Sequence, residues 1–343
     1  MKQTAKWLAA ALIALGLNQA VWADDVSDFQ KTLQAAEQGN AQAQLYLGGM
    51  YAQGRGVRQD DAQAVQWFRK AAEQGDAYAQ YNLGIMYDNG RGVRQDTAQA
   101  AQWYRKAAEQ GDAGAQLNLG FMYEQGRGVR QDDAQAVQWY RKAAEQGYAQ
   151  AQSNLGVMYA EGRGVRQDYA EAVKWYRQAA AQGNAAAQHN LGVMYANGEG
   201  VRQDYVEAVK WYRQAAAQGY AHAQYNLGVM YAEGRGVRQD YAEAFRWFRQ
   251  AAAQGYAQAQ HNLGVMYAEG RGVRQDDAEA FRWFRQAAAQ GNAAAQHNLG
   301  VMYENGRGVR QDRALAQEWF GKACQNGEQN GCDNYQRLKA AGY

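Results

Sequence analysis

NAAAQHNLGVMYANGEGVRQDYVEAVKWYRQAAAQG, residues Asn184–Gly219, decides the fold, because the chain of 343 residues carries eight versions of it. The copies begin at Asn40, Asp76, Asp112, Tyr148, Asn184, Tyr220, Tyr256 and Asn292, each 36 residues after the last, with no insertion or deletion. A fixed period of about 20–50 residues is the mark of an array whose units cannot bury their apolar faces alone and do so by stacking. Positions below are counted from the first residue of each copy, and repeats are numbered 1 to 8.

Inside the stretch, Ala185, Gln188, Leu191, Gly192 and Tyr195 follow helical spacing and give one small, apolar face. This helix A stops at Asn197-Gly198-Glu199-Gly200, where glycines can adopt the left-handed backbone that ends a helix. Asp204 opens helix B with Glu207 three residues on, a pairing that resembles a capping box and recurs as Asp60/Gln63, Asp96/Gln99, Asp132/Gln135, Asp168/Glu171, Asp240/Glu243 and Asp276/Glu279. In the last copy Leu315 follows Asp312 instead. Helix B carries Ala208, Trp211, Tyr212 and Ala215 on one stripe and ends at Gly219. The small residues permit close helix approach, and Met194, Tyr195, Trp211 and Tyr212 fill the space between, as core rather than as a cofactor box.

The motifs Ala-x-Ala-Gln-x-Asn-Leu-Gly-x-Met-Tyr, Gly-Arg-Gly-Val and Asp-x-Ala-x-Ala-x-x-Trp-(Tyr/Phe)-Arg-x-Ala-Ala, with a closing glycine, resemble the Sel-one-like repeat (SLR) family over residues 25–343. That family is related to the tetratricopeptide repeat and has a longer loop between its helices. The resemblance implies an all-α fold: an α/α right-handed superhelical solenoid of helix-turn-helix repeats with capping helices. Helix A would line its concave side and helix B its convex side. It also implies an adaptor or scaffold protein, of a kind often exported by bacteria.

Met1–Ala23 reads as a secretory signal peptide. Lys2 and Lys6 precede the short apolar run Trp7–Leu17, and Val21-Trp22-Ala23 offers a cleavage site after Ala23. The run is too short to span a membrane, and no cysteine follows the cut to carry a lipid. The expected product is periplasmic or secreted and starts at Asp24. Loss of Lys2 and Lys6 leaves 34 basic against 34 acidic residues, a balance that argues against nucleic acid or anionic membrane as the general partner. Asp24–Gly39 aligns with a lone helix B and reads as an N-terminal cap, with Phe29 and Leu33 on the first repeat and Asp28 and Lys31 in water. The eight repeats fill 40–327, and with no proline or linker they are expected to act as one unit. Residues 328–343 form a C-terminal cap, its helix expected over Gly331–Ala341.

Cys324 and Cys332, the two cysteines, occupy positions on consecutive antiparallel helices of a stack. In an oxidising compartment they are expected to join in a disulfide that staples the last helix to the array. Cysteine-rich members of the resembling family carry such a pair in each repeat.

Catalytic signatures are missing. The mature chain has two serines, Ser27 and Ser153, and neither begins Ser-x-x-Lys nor sits in Gly-x-Ser-x-Gly. A β-lactam-binding or hydrolysing role, a name attached to some cysteine-rich relatives, therefore has no support in the residues. There is no Gly-x-x-x-x-Gly-Lys-Ser/Thr loop, and no cofactor is expected. His189, His261 and His297 share the sixth position and His222 stands at the third. Equivalent sites on stacked repeats lie about 10 Å apart, too far for one metal ion, so these histidines read as surface or groove residues able to make binding sensitive to pH. The arginines of Gly-Arg-Gly and of the following loop read as a solvated edge beside the capping aspartates. Glu199 replaces that arginine in the fifth copy, and no role is assigned to it.

Where copies differ, specificity can reside. The third, sixth, tenth and thirteenth positions share one face of helix A. They hold Tyr78 and His222 at the third, Tyr81, Tyr225 and the three histidines at the sixth, and Phe121 at the tenth. Beside them runs an asparagine ladder, including Asn118, Asn154, Asn190 and Asn226. It has two readings: contacts to the backbone of an extended peptide, or bonds between neighbouring helices of the stack. Tyr81, Phe121 and Tyr225 are expected to anchor a protein segment. The alternative ligand is peptidoglycan, contacted by Tyr, Asn and Gln.

Overall fold

The computed structural model describes residues 22–343, and among them it contains 18 helices and no strand. Residues 1–21 lie outside the described residues, and with them most of the leader read in Met1–Ala23. The first helix, α1, runs Trp22–Glu37; its Phe29 is buried and packs with Leu47, Met50 and Trp67 of the first repeat, while Asp28 and Lys31 are exposed. The helices group into two compact units, one up to Asp168 and one from Tyr169 to Tyr343, although no linker-like stretch divides them in the sequence. Within each unit every helix packs on its neighbours in chain order, as stacked helical pairs must. Cohesion there is local, because the main packing is between helices adjacent in the chain.

The type repeat explains its own boundaries. Helix A runs Ala185–Asn197; Asn184 caps it by accepting from the Ala187 amide, and Gly198, at φ 77°, ends it. Helix B runs Tyr205–Ala217, capped by Asp204, which accepts from the amides of Val206 and Glu207. Asp312 caps the last helix B in the same way, through the amide of Leu315. Each such cap contributes about 1 kcal/mol.

Two glycines per repeat have steric reasons. A Cβ on Gly192 would sit 2.6 Å from the Tyr212 ring, so helix A and helix B meet with the ring lying directly on the backbone. In the Gly-Arg-Gly connector, Gly92 has φ +65°, and a Cβ there would stand 2.0 Å from the Asp61 carbonyl oxygen. The loop of one repeat therefore rests on the start of helix B of the repeat before it, which is why the connector is copied so faithfully.

The helix-A glutamine belongs to a buried hydrogen-bond chain. Gln80 donates to the Ala72 carbonyl at 3.1 Å and accepts from Gln110 at 2.8 Å, and Gln116 repeats this with Ala108 and Gln146. Unbonded, a buried amide would cost about 1–3 kcal/mol; bonded, it fixes the register between successive repeats. The terminal helix runs Gln329–Ala340, starting two residues earlier than expected, and the Cys324–Cys332 disulfide joins it to helix B of repeat 8 with Cα atoms 4.5 Å apart.

Candidate functional site on the helix-A faces

In the unit ending at Asp168, Tyr78 is 61% exposed at the start of its helix, and Phe121 is half-buried. Tyr81, expected as an exposed anchor, is turned inward and is 8% exposed. Its ring centroid lies 5.9 Å from that of Tyr104, and Asn118 faces its hydroxyl. Burial holds its phenol well above the ordinary tyrosine range, with Tyr148 and Asp112 adding to the shift. The ring also accounts for Gly114: a Cβ there would meet Tyr81 Cζ at 3.0 Å. Alanine at Tyr81 would therefore disturb packing as well as any docking surface.

In the unit from Tyr169, the three sixth-position histidines prove to be part of the stack. His189 Nδ1 lies 3.1 Å from Asn190 Oδ1, and His189 Nε2 lies 3.0 Å from Asn226 Nδ2 of the next repeat. The amides thus select the neutral ring, with Nδ1–H donating and Nε2 accepting. His261 repeats the arrangement with Asn262 at 3.2 Å and Asn298 at 3.1 Å, and His297 Nε2 meets Asn334 at 3.1 Å. Burial pushes His189 down to about 4, opposed by Asn190 and reinforced by His222; it lowers His261 as well, opposed by Asn262. Of the two readings of the ladder, Asn226 and Asn298 follow the one that joins helices. Asn154 accepts from Gln150 of its own helix at 2.9 Å, a bond that decides neither reading.

What remains accessible is a run of rings over repeats 5 to 7. His222 is exposed, and its ring lies 5.5 Å from Tyr220, 5.9 Å from His189 and 4.8 Å from Tyr256. Tyr225 closes the set, 5.1 Å from Tyr256. Tyr220 and Tyr256 stand at first positions, where Asn184 and Asn292 cap their helices; neither tyrosine makes a side-chain cap. Burial lowers the pKa of His222 and raises those of Tyr220, Tyr225 and Tyr256. At neutral pH the rings form an uncharged, hydrogen-bonding aromatic surface.

The Gly-Arg-Gly arginines are not a passive edge. Arg127 reaches Asp88 at 2.8 Å, and Arg163 reaches Glu124 at 3.0 Å and Asp133 at 3.2 Å. Their partners are thirteenth- and fourteenth-position carboxylates and the first residue of helix B rather than the capping aspartates. A carboxylate followed 39 residues later by arginine is the sequence signal for these pairs.

Eight consecutive segments, 41–76, 77–112, 113–148, 149–184, 185–220, 221–256, 257–292 and 293–328, match the Sel1 repeat model. The chain is similar to a Sel1 repeat protein from Oxalobacter formigenes, with 34% identity, 96% of this chain and 99% of that one covered, and a TM-score of 0.71. It also resembles c5321, a protective antigen with an SLR fold present in uropathogenic Escherichia coli, with 35% identity, 91% and 82% covered, and a TM-score of 0.53. No curated protein matches it.

Proposed function

Because the chain belongs to the Sel1 repeat family, we propose that it is an exported, non-catalytic scaffold that holds an extended segment of a partner protein on its helix-A faces. Sel1 repeat proteins are generally protein-interaction scaffolds. The observation that carries the reading to this chain is the ring surface of Tyr220, His222, Tyr225 and Tyr256. Two of its members occupy capping positions without capping. The rings stay partly accessible at places where a capping asparagine would contribute about 1 kcal/mol, and accessible aromatic side chains are frequent binding anchors. In the first unit Tyr78 and Phe121 would offer further contacts of the same kind. Export rests on the leader Met1–Ala23, with cleavage after Ala23 into the periplasm or beyond; the Cys324–Cys332 disulfide and the absence, among the described residues, of a helix long and apolar enough to cross a membrane are compatible with it.

Site-specific photo-crosslinking in intact cells tests the assignment. A probe at exposed His222 is expected to give a discrete protein adduct, and a probe at Lys174 on helix B none. Equal adducts at both sites, or none at His222, would defeat the reading. Retention of the protein on purified cell-wall material, abolished by alanine at Tyr220 and Tyr256, would transfer the same surface to peptidoglycan.

A further inference from the structure

In repeat 3 a carboxylate, a phenol and a guanidinium form one cluster. Glu124 accepts from the Tyr140 hydroxyl at 2.6 Å and from Arg163 Nη1 at 3.0 Å. Arg163 pairs in addition with Asp133 at 3.2 Å and Glu161 at 3.4 Å, and Asn154 faces the Tyr140 hydroxyl. Three carboxylates thus surround one arginine, and the deepest of them also accepts the hydrogen bond of the phenol.

Two repeats further on, the register replaces Glu124 by Ala196 and Asp133 by Tyr205, but keeps Tyr140 as Tyr212, Asn154 as Asn226, Glu161 as Glu233 and Arg163 as Arg235. The donors are retained, and two of the three carboxylates are gone. In their place is a pocket of about 490 Å³, lined by Ala196, Tyr205, Tyr212, Asn226 and Arg235 together with Val193. Asn226 faces the Tyr212 hydroxyl as Asn154 faces that of Tyr140. Arg235 pairs through Nε with Glu233 at 2.8 Å and lies over the Tyr205 ring, 5.7 Å from its centroid. The combination is unique in the chain. Where the thirteenth position is alanine in repeats 1, 6 and 7, the phenol is a phenylalanine; in repeat 4, Tyr176 is kept but Glu199 stands where the arginine would be.

We propose that this pocket binds a carboxylate of a ligand, seated where Glu124 sits in repeat 3 and accepting from the Tyr212 hydroxyl and the outer nitrogens of Arg235. The walls contributed by Val193 and Val229, both tenth-position residues, place the pocket on the helix-A face. Only the natural source of the carboxylate, an acidic side chain or the chain end of a bound segment, rests on the scaffold reading; the chemistry of the pocket does not.

The test uses the purified full chain and small probes: N-acetylglutamate N-methylamide, N-acetylalanine, and the uncharged N-acetylglutamine N-methylamide. Binding is read from the side-chain NMR signal of Arg235. Either carboxylate is expected to shift that signal and the glutamine analogue to leave it in place; the tighter carboxylate names the source. Tyr212→Phe installs the residue found at that place in repeats 6 to 8, so it should fold, and it should weaken binding by about tenfold, the usual worth of a hydrogen bond to a charged group. Ala196→Glu restores the inner carboxylate of the repeat 3 cluster and should abolish binding while raising the melting temperature. Equal shifts by the glutamine and glutamate analogues, no shift with any probe, or unchanged affinity in Tyr212→Phe would overturn the proposal. Missing crosslinks at His222 with carboxylate binding intact would defeat the scaffold reading and leave this one standing.

Discussion

At the scale of the residue, His189 separates what pattern reveals from what packing decides. Its place at the sixth position was visible in the sequence, and so was its neighbour Asn190. That Asn226, one repeat on, would take its second nitrogen was not, because a helical period gives the face of a side chain and not its partner across the stack. The difference has a measurable consequence. The folded-state pKa of His189, about 4, lies below the ordinary value of 6.5. Between those values the unfolded chain binds more protons than the folded one, so stability falls as pH falls. The contribution is whole above pH 6.5 and is lost progressively toward pH 4. Each tenfold change in proton affinity corresponds to about 1.4 kcal/mol, so at most roughly 3.5 kcal/mol is at stake. His261 acts in the same direction. Urea midpoints recorded across this window should decline for the natural chain. His189→Leu, which installs the residue found at the sixth position of repeats 1 and 3, should flatten the decline; an unchanged slope would remove His189 as its source.

At the scale of the element, the first residue of helix A sets capping against ring contact. Tyr148 is 43% exposed and makes no side-chain cap. Tyr148→Asn restores the residue that caps helix A at Asn184, and should stabilise the protein by about 1 kcal/mol, measured as a shift of the chemical denaturation midpoint. Tyr220→Asn gains the same cap but gives up rings 5.3 Å from His189 and 5.5 Å from His222. Each such pair is worth about 0.5–1.5 kcal/mol, so this substitution should be neutral or destabilising. A clear gain at both positions would mean that the rings over repeats 5 to 7 contribute nothing to the fold. The terminal helix poses a simpler case. Opening Cys324–Cys332, separated by 8 residues in sequence, should cost roughly 2–3 kcal/mol, and the cost should stay local. Hydrogen exchange should quicken in Gln329–Ala340 on reduction and stay unchanged in the inner helices. The cap, the glycine stops and this disulfide were legible in the sequence because each is set by a residue type at a fixed place. The glutamine chain from Gln80 to Gln110 was not, because glutamine on an otherwise apolar face looks like a tolerated surface residue until the facing carbonyl is known.

At the scale of the whole molecule, the period was the most legible feature, and it predicts how the chain should respond to cutting. The helices of repeat 7 pack mainly on those of repeats 6 and 8, and each of those presents nearly the same surface. Alanines equivalent to Ala259 and Ala280, the glycine equivalent to Gly264 and the glutamine equivalent to Gln260 recur on both sides. Removing 257–292 brings a helix B surface against a helix A surface that it already fits, and Gln224 loses no partner type. In a stack whose stability adds repeat by repeat, such a deletion subtracts one unit and its interface without leaving an exposed face. Removing 257–276 alone discards helix A and its connector and sets two helices B side by side, stranding Phe284 and the amide chain without their complements. The whole-repeat deletion should retain its helical signal and cooperative melting, with a midpoint within roughly 5 °C of the natural chain. The partial deletion should melt broadly and far earlier. Equal damage from the two would mean that cohesion reaches beyond nearest neighbours, and that repeats 5 to 8 depend on one another as a single core rather than as a sum.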